Sequence, residues 1–134
     1  MIFLDTNIFV YSADVKDKTK QGRAYSIIRN AVDNPSFVIS SQVLNEFSNV
    51  ALSKLRKNIH EVVGFIRLFQ RIKVVPVVAD LTERALSIKE QYGIQFYDSL
   101  VVAAAEANGC DTIFTEDLSD GQIYGTVKAI NPFK

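Results

Sequence analysis

The chain has 134 residues, 48% of them hydrophobic, and its 15 basic and 15 acidic side chains leave no formal net charge. This length is typical of one domain, and the apolar fraction is enough for a complete core. The balanced charge does not favour nucleic acid as a partner, but it does not exclude one either, because local patches matter more than the sum. We expect residues 1–134 to form a single domain.

The cysteine count and the hydrophobic runs bear on the cellular compartment. The single cysteine, Cys110, excludes an intrachain disulfide and fits a reducing environment. Asp5 interrupts the first apolar run and no basic segment precedes that run, so we predict no signal peptide. No apolar run approaches the roughly 20 residues of a membrane span. The expected location is cytoplasmic, with no membrane partner.

Short apolar runs alternate with helical patterns along the chain. The runs predict buried strands at 2–4, 37–39, 74–75 and 112–114, with a possible fifth at 127–130. Amphipathic spacing and capping residues predict a turn or short helix at 6–11 and helices at 17–32, 40–56, 58–69, 80–91 and 97–107. Because parallel strands need crossover connections, this alternation predicts a three-layer α/β/α sandwich with a short parallel sheet of four or five strands.

Four acidic residues stand beside apolar segments: Asp5, Glu46, Asp98 and Asp117. Each has an ordinary structural explanation. Asp5 and Asp98 can cap helices, Glu46 can be a solvated helix residue, and Asp117 can belong to a polar turn.

The combination of the four carboxylates is more informative than any one of them. Asp5 and Asp117 each follow a predicted strand, so they are expected at the same edge of the sheet, where ligands bind in open α/β folds. Carboxylates gathered there repel one another unless a hard cation such as Mg²⁺ or Mn²⁺ lies between them. Such ions typically act on phosphate groups, which predicts a metal-dependent phosphate enzyme.

The sequence lacks the motifs of several other chemistries. It has no phosphate-binding glycine loop, no G-x-S-x-G elbow and no zinc-ligand spacing. The only histidine, His60, is expected to be solvated, and Cys110 is expected to be a small buried residue.

Three segments resemble the PIN-domain family. They are Phe3-Leu4-Asp5-Thr6-Asn7-Ile8-Phe9-Val10-Tyr11, the helix beginning Tyr97-Asp98-Ser99-Leu100, and Thr115-Glu116-Asp117, with Glu46 between the first two. The likeness covers essentially the whole chain. Within the family the chain looks most like the VapC-type toxins of prokaryotic type II toxin–antitoxin systems.

This resemblance implies a metal-dependent endoribonuclease. Asp5, Glu46, Asp98 and Asp117 would be both the catalytic residues and the ligands of one or two Mg²⁺ ions, with Mn²⁺ as a substitute. A metal-activated water would attack phosphorus in line and leave a 5′-phosphate and a 3′-hydroxyl. The implied partners are an RNA (tRNA, rRNA or mRNA), a cognate antitoxin protein and a second copy of the chain.

The resemblance also implies supporting roles for neighbouring residues. Thr6 or Asn7 would support the first carboxylate and Thr115 the last, while Glu116 or Asp120 can replace or supplement Asp117. Two groups of basic residues are candidates for holding RNA phosphates, and a solvated helix face is at least as good an explanation for each. The groups are Lys54, Arg56 and Lys57, and Lys16, Lys18, Lys20 and Arg23. Phe9, Tyr11 or Tyr97 can stack a base, although core packing explains most aromatic residues.

Two alternatives remain open at this point. A non-catalytic PIN-like module that binds RNA or protein would keep the fold without cleavage, but the presence of all four carboxylates argues against it. A phosphatase with Asp5 as covalent nucleophile, similar to the haloacid dehalogenases, would carry a second aspartate where this chain has Asn7. The sequence does not predict which RNA is cut, how many metals bind, or whether DNA is also a substrate.

Overall fold

A computed structural model describes all residues from Met1 to Lys134. The strands are β1 (Ile2–Leu4), β2 (Phe37–Ser40), β3 (Lys73–Val75), β4 (Thr112–Phe114), β5 (Ile123–Tyr124) and β6 (Val127–Ile130). The helices are α1 (Thr6–Ala13), α2 (Lys18–Ala31), α3 (Ser41–Ser53), α4 (Ile59–Phe69), α5 (Ala79–Tyr92) and α6 (Phe96–Ala107). No helix is both long enough and apolar enough to span a membrane.

The six strands form one sheet in the order β3-β2-β1-β4-β6-β5. All neighbouring pairs are parallel except β5 and β6, which pair antiparallel at the edge. On one side α1 contacts α2 and α3, and α3 contacts α4, while α5 and α6 pack on each other and α6 contacts the sheet. The predicted three-layer α/β/α fold is therefore confirmed, with one more strand than predicted.

The additional strand is part of a hairpin that periodicity could not reveal. β5 has only two residues, and Gly125 at the turn has a positive φ of 62°. A two-residue strand is too short to show an alternating pattern, so the prediction included β6 alone. The hairpin closes one edge of the sheet and does not change the order of the central strands.

The helix boundaries agree with the capping residues in most places. Asp17 caps α2, and Asn58 forms a capping box with Glu61 at the start of α4. Gly93 ends α5 in the left-handed conformation. The prediction that α3 continues to Arg56 was wrong, because the helix ends at Ser53 and Arg56 has a positive φ of 54°.

Helix α6 has the longest unbroken run of buried residues of any helix, as its apolar sequence predicted. Every residue from Ser99 to Ala105 is buried. The run of alanines has small side chains, so α6 can lie close to both α5 and the sheet, and it contacts β2, β4 and β6. The first turn of α6, which carries Asp98, is consequently held at a fixed place relative to the central strands.

Candidate metal centre

Asp5 lies at the carboxyl end of the central strand β1 and is only 4% exposed. It caps α1, because the backbone N–H of Thr6 donates to Oδ1 at 2.7 Å. The Thr115 hydroxyl donates to Oδ2 at 2.8 Å. Asp5 can therefore cap α1 and also serve as a metal ligand, because hydrogen bonds orient both of its oxygens.

Burial raises the pKa of Asp5 from 3.8 to about 7. The hydrogen bonds from Thr115 and Thr6 oppose this rise, whereas the negative charges of Asp117 and Asp98 add to it. A buried carboxylate in such surroundings is unfavourable unless a positive charge lies next to it. The site therefore favours either a proton or a cation at Asp5.

Asp117 reaches the same place from the neighbouring strand. β4 pairs with β1 so that Phe114 lies opposite Leu4, which puts Thr115 next to Asp5. The Thr115 hydroxyl accepts a hydrogen bond from the backbone N–H of Asp117 at 3.0 Å. The side-chain amide of Asn7 donates to Asp117 Oδ2 at 3.1 Å. Asp117 itself is exposed, so it forms the solvent side of the site.

Asp98 completes the group from the first turn of α6. The N-cap of this helix is Gln95, and no side chain caps it, so Asp98 is not the capping residue that its position suggested. Burial, followed by the charges of Asp117 and Glu46, raises the pKa of Asp98 from 3.8 to about 6. Its carboxylate is therefore directed toward the other acidic residues and is not engaged by the helix end.

Asp5, Asp98 and Asp117 each offer one carboxylate oxygen, and these atoms all lie within 4.8 Å of one another. Residues separated by 93 and 112 positions from Asp5 thus converge at one sheet edge. Oxygen ligands alone, without histidine or cysteine, are the set that Mg²⁺ and Mn²⁺ prefer. Burial, followed by the neighbouring carboxylates, raises the pKa of Asp5 and Asp98, and no basic side chain opposes that rise.

Glu46 lies beside this group and not within it. It is half-buried on α3 and accepts a hydrogen bond from the Gln42 side-chain amide. The same amide donates to the backbone oxygen of Tyr97 at 3.1 Å, which ties α3 to the start of α6. The charge of Glu46 contributes to the raised pKa of Asp98, so the two carboxylates face one another at longer range.

Glu116 and Asp120 point away from the three clustered carboxylates. Glu116 accepts hydrogen bonds from the Tyr11 hydroxyl at 2.5 Å and from Lys20 Nζ at 2.6 Å. Burial alone would raise the pKa of Glu116, but these two hydrogen bonds outweigh it and lower that pKa. Asp120 accepts from the backbone N–H of Asn131 at 2.8 Å. Neither residue belongs to the cluster. Asp117 is therefore the residue of this loop that joins Asp5 and Asp98.

Thr6 supports the first carboxylate and Thr115 the last, as the resemblance implied, but Asn7 and Thr115 also make contacts that it did not imply. Thr6 supports Asp5 through its backbone N–H, whereas the Asn7 side chain supports Asp117. Thr115 bridges the first and last carboxylates, because its hydroxyl donates to Asp5 and accepts from the backbone of Asp117. Gln42 was not predicted at all. Its four-residue spacing from Glu46 on one helix is the signal that could have revealed it.

The basic and aromatic candidates separate into distinct groups. Lys20 forms a salt bridge with Glu116, and Arg23 donates to the backbone oxygen of Pro132 at 3.0 Å. The remaining lysines and Arg56 are exposed or half-buried. Phe9 is fully buried and packs on Phe69. Among the three aromatic candidates, only Tyr97 is largely exposed, at 63%.

Comparison with known proteins places the chain in a family. The PIN-domain profile matches residues 2–119. The chain belongs to the PIN-domain family. No curated protein sequence matches it.

Several solved structures share the fold. Mycobacterium tuberculosis VapC20, described as a toxin that cleaves the sarcin–ricin loop, is 22% identical with a TM-score of 0.71, over 96% of this chain and 99% of that one. A Klebsiella pneumoniae toxin–antitoxin complex is 16% identical with a TM-score of 0.71, over 98% of both chains. VapBC2 of Rickettsia felis, bound to a DNA fragment from its promoter, is 23% identical with a TM-score of 0.65, over 96% and 97%.

Proposed function

We propose that residues 1–134 form one PIN nuclease domain that hydrolyses RNA with a divalent metal, as the toxin of a toxin–antitoxin pair. The convergence of Asp5, Asp98 and Asp117 within 4.8 Å is the observation that carries this proposal. Three oriented oxygen ligands at the carboxyl edge of a parallel sheet suit Mg²⁺, with Mn²⁺ as a substitute.

Asp5, Asp98 and Asp117 would hold the cation, and Glu46 would act beside it. When bound, the cation would supply the positive charge that activates a water and balances the phosphate oxygens during in-line displacement. Thr6 and Thr115 fix the orientation of Asp5, and Asn7 fixes that of Asp117. Glu46, held by Gln42, extends the negative surface next to Asp98 and would accept hydrogen bonds from the substrate.

The substrate and the partners are proposed from the similar structures. VapC20 cleaves the sarcin–ricin loop, which supports RNA as the substrate class and that loop as the first substrate to test. The Klebsiella pneumoniae and Salmonella typhimurium structures contain a toxin with its antitoxin, which supports a cognate antitoxin here. We also propose that the protein forms a homodimer and is located in the cytoplasm.

The direct test is cleavage of total cellular RNA by the purified chain with Mg²⁺, Mn²⁺ or EDTA. We expect fragments with 5′-phosphates in either metal, none in EDTA, and none with Asp5→Asn. Asp80→Asn is the matched control, because Asp80 is exposed on α5. Cleavage that persists in EDTA or in Asp5→Asn would contradict the mechanism. A folded protein that binds RNA without cutting it would instead support the non-catalytic binding module.

A further inference from the structure

A groove opens next to the acidic cluster, between α3 and the start of α6. Its volume is about 450 Å³, within the range of small-ligand sites. Its polar lining comes mainly from Gln42, Asn45, Glu46 and Asn49, which lie along one side of α3. Tyr97 forms the opposite side and directly precedes Asp98 in the chain, so the groove adjoins the proposed metal centre.

The chemistry of the lining suits a neutral ring with hydrogen-bonding edges. Glu46 is the only charged residue among those lining the groove, and no lysine or arginine is present. A phosphate would therefore meet a carboxylate and no cation. The exposed amides of Asn45 and Asn49, one helical turn apart, offer both donors and acceptors. A nucleobase matches this lining better than a backbone phosphate does.

Gln42 holds two opposite sides of the groove together. This side chain is only 7% exposed, and its amide nitrogen serves Glu46 and the Tyr97 backbone. Its Oε1 atom is buried without any hydrogen-bond partner and is not accessible from the groove. The Glu46 carboxylate lines the groove and is only half-buried, so it can accept from a ligand there. The groove therefore favours a ligand that donates.

Tyr97 offers a surface on which a base can stack. Its ring is 63% exposed although it lies beside the proposed site. The Phe96 ring contacts it edge to face, with 5.3 Å between centroids, which restricts the Tyr97 ring without covering it. Exposed aromatic rings that are held in place are the stacking platforms of proteins that bind single-stranded nucleic acid.

We propose that this groove binds a nucleobase of single-stranded RNA next to the cut phosphate, and that it selects bases with an exocyclic amino group. Tyr97 stacks on the base, and the Glu46 carboxylate, held by Gln42, receives an amino hydrogen. Adenine, cytosine and guanine carry such a group, whereas uracil does not. This inference rests on the proposed function for its substrate class and adds a specificity-determining site to it.

The test measures binding separately from cleavage. Fluorescence anisotropy with labelled hexamers of cytidine and of uridine is recorded in Mg²⁺, with Asp5→Asn in every protein to prevent hydrolysis. We expect tighter binding of the cytidine oligomer. Tyr97→Ala should weaken binding of both oligomers by about 5- to 100-fold, whereas Tyr97→Phe should bind like the parent. Gln42→Met should reduce the preference for cytidine over uridine, because it removes the amide that orients Glu46.

Tyr25→Ala is the matched control, because Tyr25 is 48% exposed on α2 and lines a different cavity. Equal effects of Tyr97→Ala and Tyr25→Ala, or equal binding of the two oligomers, would overturn the inference. RNA binding that depends on Tyr97 in a protein without nuclease activity would uphold the groove and reject the proposed function. Nuclease activity with a cut-site preference that Tyr97→Ala does not alter would uphold the proposed function and reject the groove as a specificity site.

Discussion

The hydroxyl of Thr115 donates a 2.8 Å hydrogen bond to Asp5, a residue 110 positions away in the sequence. The same hydroxyl accepts from the backbone N–H of Asp117 at 3.0 Å. One buried side chain therefore sets the positions of two of the three clustered carboxylates. This relationship follows from the parallel pairing of β1 with β4, which aligns the ends of the two strands.

Replacing Thr115 with valine should impair the site while preserving the shape of the core. Thr115→Val removes the donor to Asp5 and leaves a buried carboxylate oxygen unpaired, which costs roughly 1–3 kcal/mol of unfolding free energy. We expect metal affinity and RNA cleavage to fall about 10- to 100-fold, as for other residues that orient metal ligands. Metal titration and denaturant unfolding provide the two measurements.

Thr112→Val is the control for this substitution, because Thr112 lies on β4, which ends just before Thr115, and its hydroxyl bonds only to exposed Asp111. Equal losses in the two variants would mean that the Thr115 hydroxyl has no special role.

Divalent metal should stabilise the protein against heat. A cation that binds the folded chain alone adds about 2.7 kcal/mol when its concentration is 100 times the dissociation constant. We expect the melting temperature to rise with Mn²⁺ in the parent and to respond much less in Asp98→Asn. The Asp98 variant should fold normally, because no side chain caps α6 and Asp98 makes no capping contact. An unchanged melting curve in millimolar Mn²⁺ would argue strongly against the site.

The metal-free protein should lose stability as pH rises from about 4 to about 7. The pKa of Asp5 is about 7 in the folded chain and near 3.8 when unfolded, so the folded state holds the extra proton in this window. Stability therefore falls with rising pH, since the folded state binds more protons than the unfolded state. Asp98, with its pKa raised to about 6, acts in the same direction.

This pH dependence can be measured by denaturant unfolding in EDTA at several pH values. Asp5→Asn should show a flatter profile, whereas Asp80→Asn should follow the parent. A parent whose stability rises over the same window would show that Asp5 is ionised in the metal-free fold.

Substitutions at the contact between Lys20 and Glu116 can show whether Lys20 positions the loop that carries Asp117 or binds RNA phosphates. Lys20 lies between Tyr11 and Glu116, with its ammonium also 4.6 Å from the Tyr11 ring centre, and Glu116 is adjacent to Asp117. We expect Lys20→Met and Glu116→Gln to lower the cleavage rate to a similar degree, because each substitution breaks the contact that holds the residue next to Asp117 in place. Single-turnover rates at two salt concentrations provide the measurement.

Lys18→Met serves as the control, since Lys18 is exposed at the start of the same helix. A loss confined to Lys20→Met, and larger at low salt, would instead mean that Lys20 binds RNA phosphates directly.

The positions of the strands and helices were largely readable from the sequence, whereas the contacts among site residues were not. The alternation of apolar runs with helical periodicity was enough to predict β1 to β4 and the helices between them. The order of the strands decides that Asp5 and Asp117 are neighbours, and no local pattern encodes that order. For the same reason the sequence could not show that Asn7 bonds to Asp117 or that Glu116 pairs with Lys20.

The central claim is that Asp5, Asp98 and Asp117 share a divalent cation. Counting bound Mn²⁺ by electron paramagnetic resonance in the parent, Asp98→Asn and Asp80→Asn tests it most directly. The account predicts saturable binding in the parent and in Asp80→Asn, and binding weakened at least about 10-fold in Asp98→Asn. Equal Mn²⁺ binding in all three proteins, or none in the parent, would contradict the account.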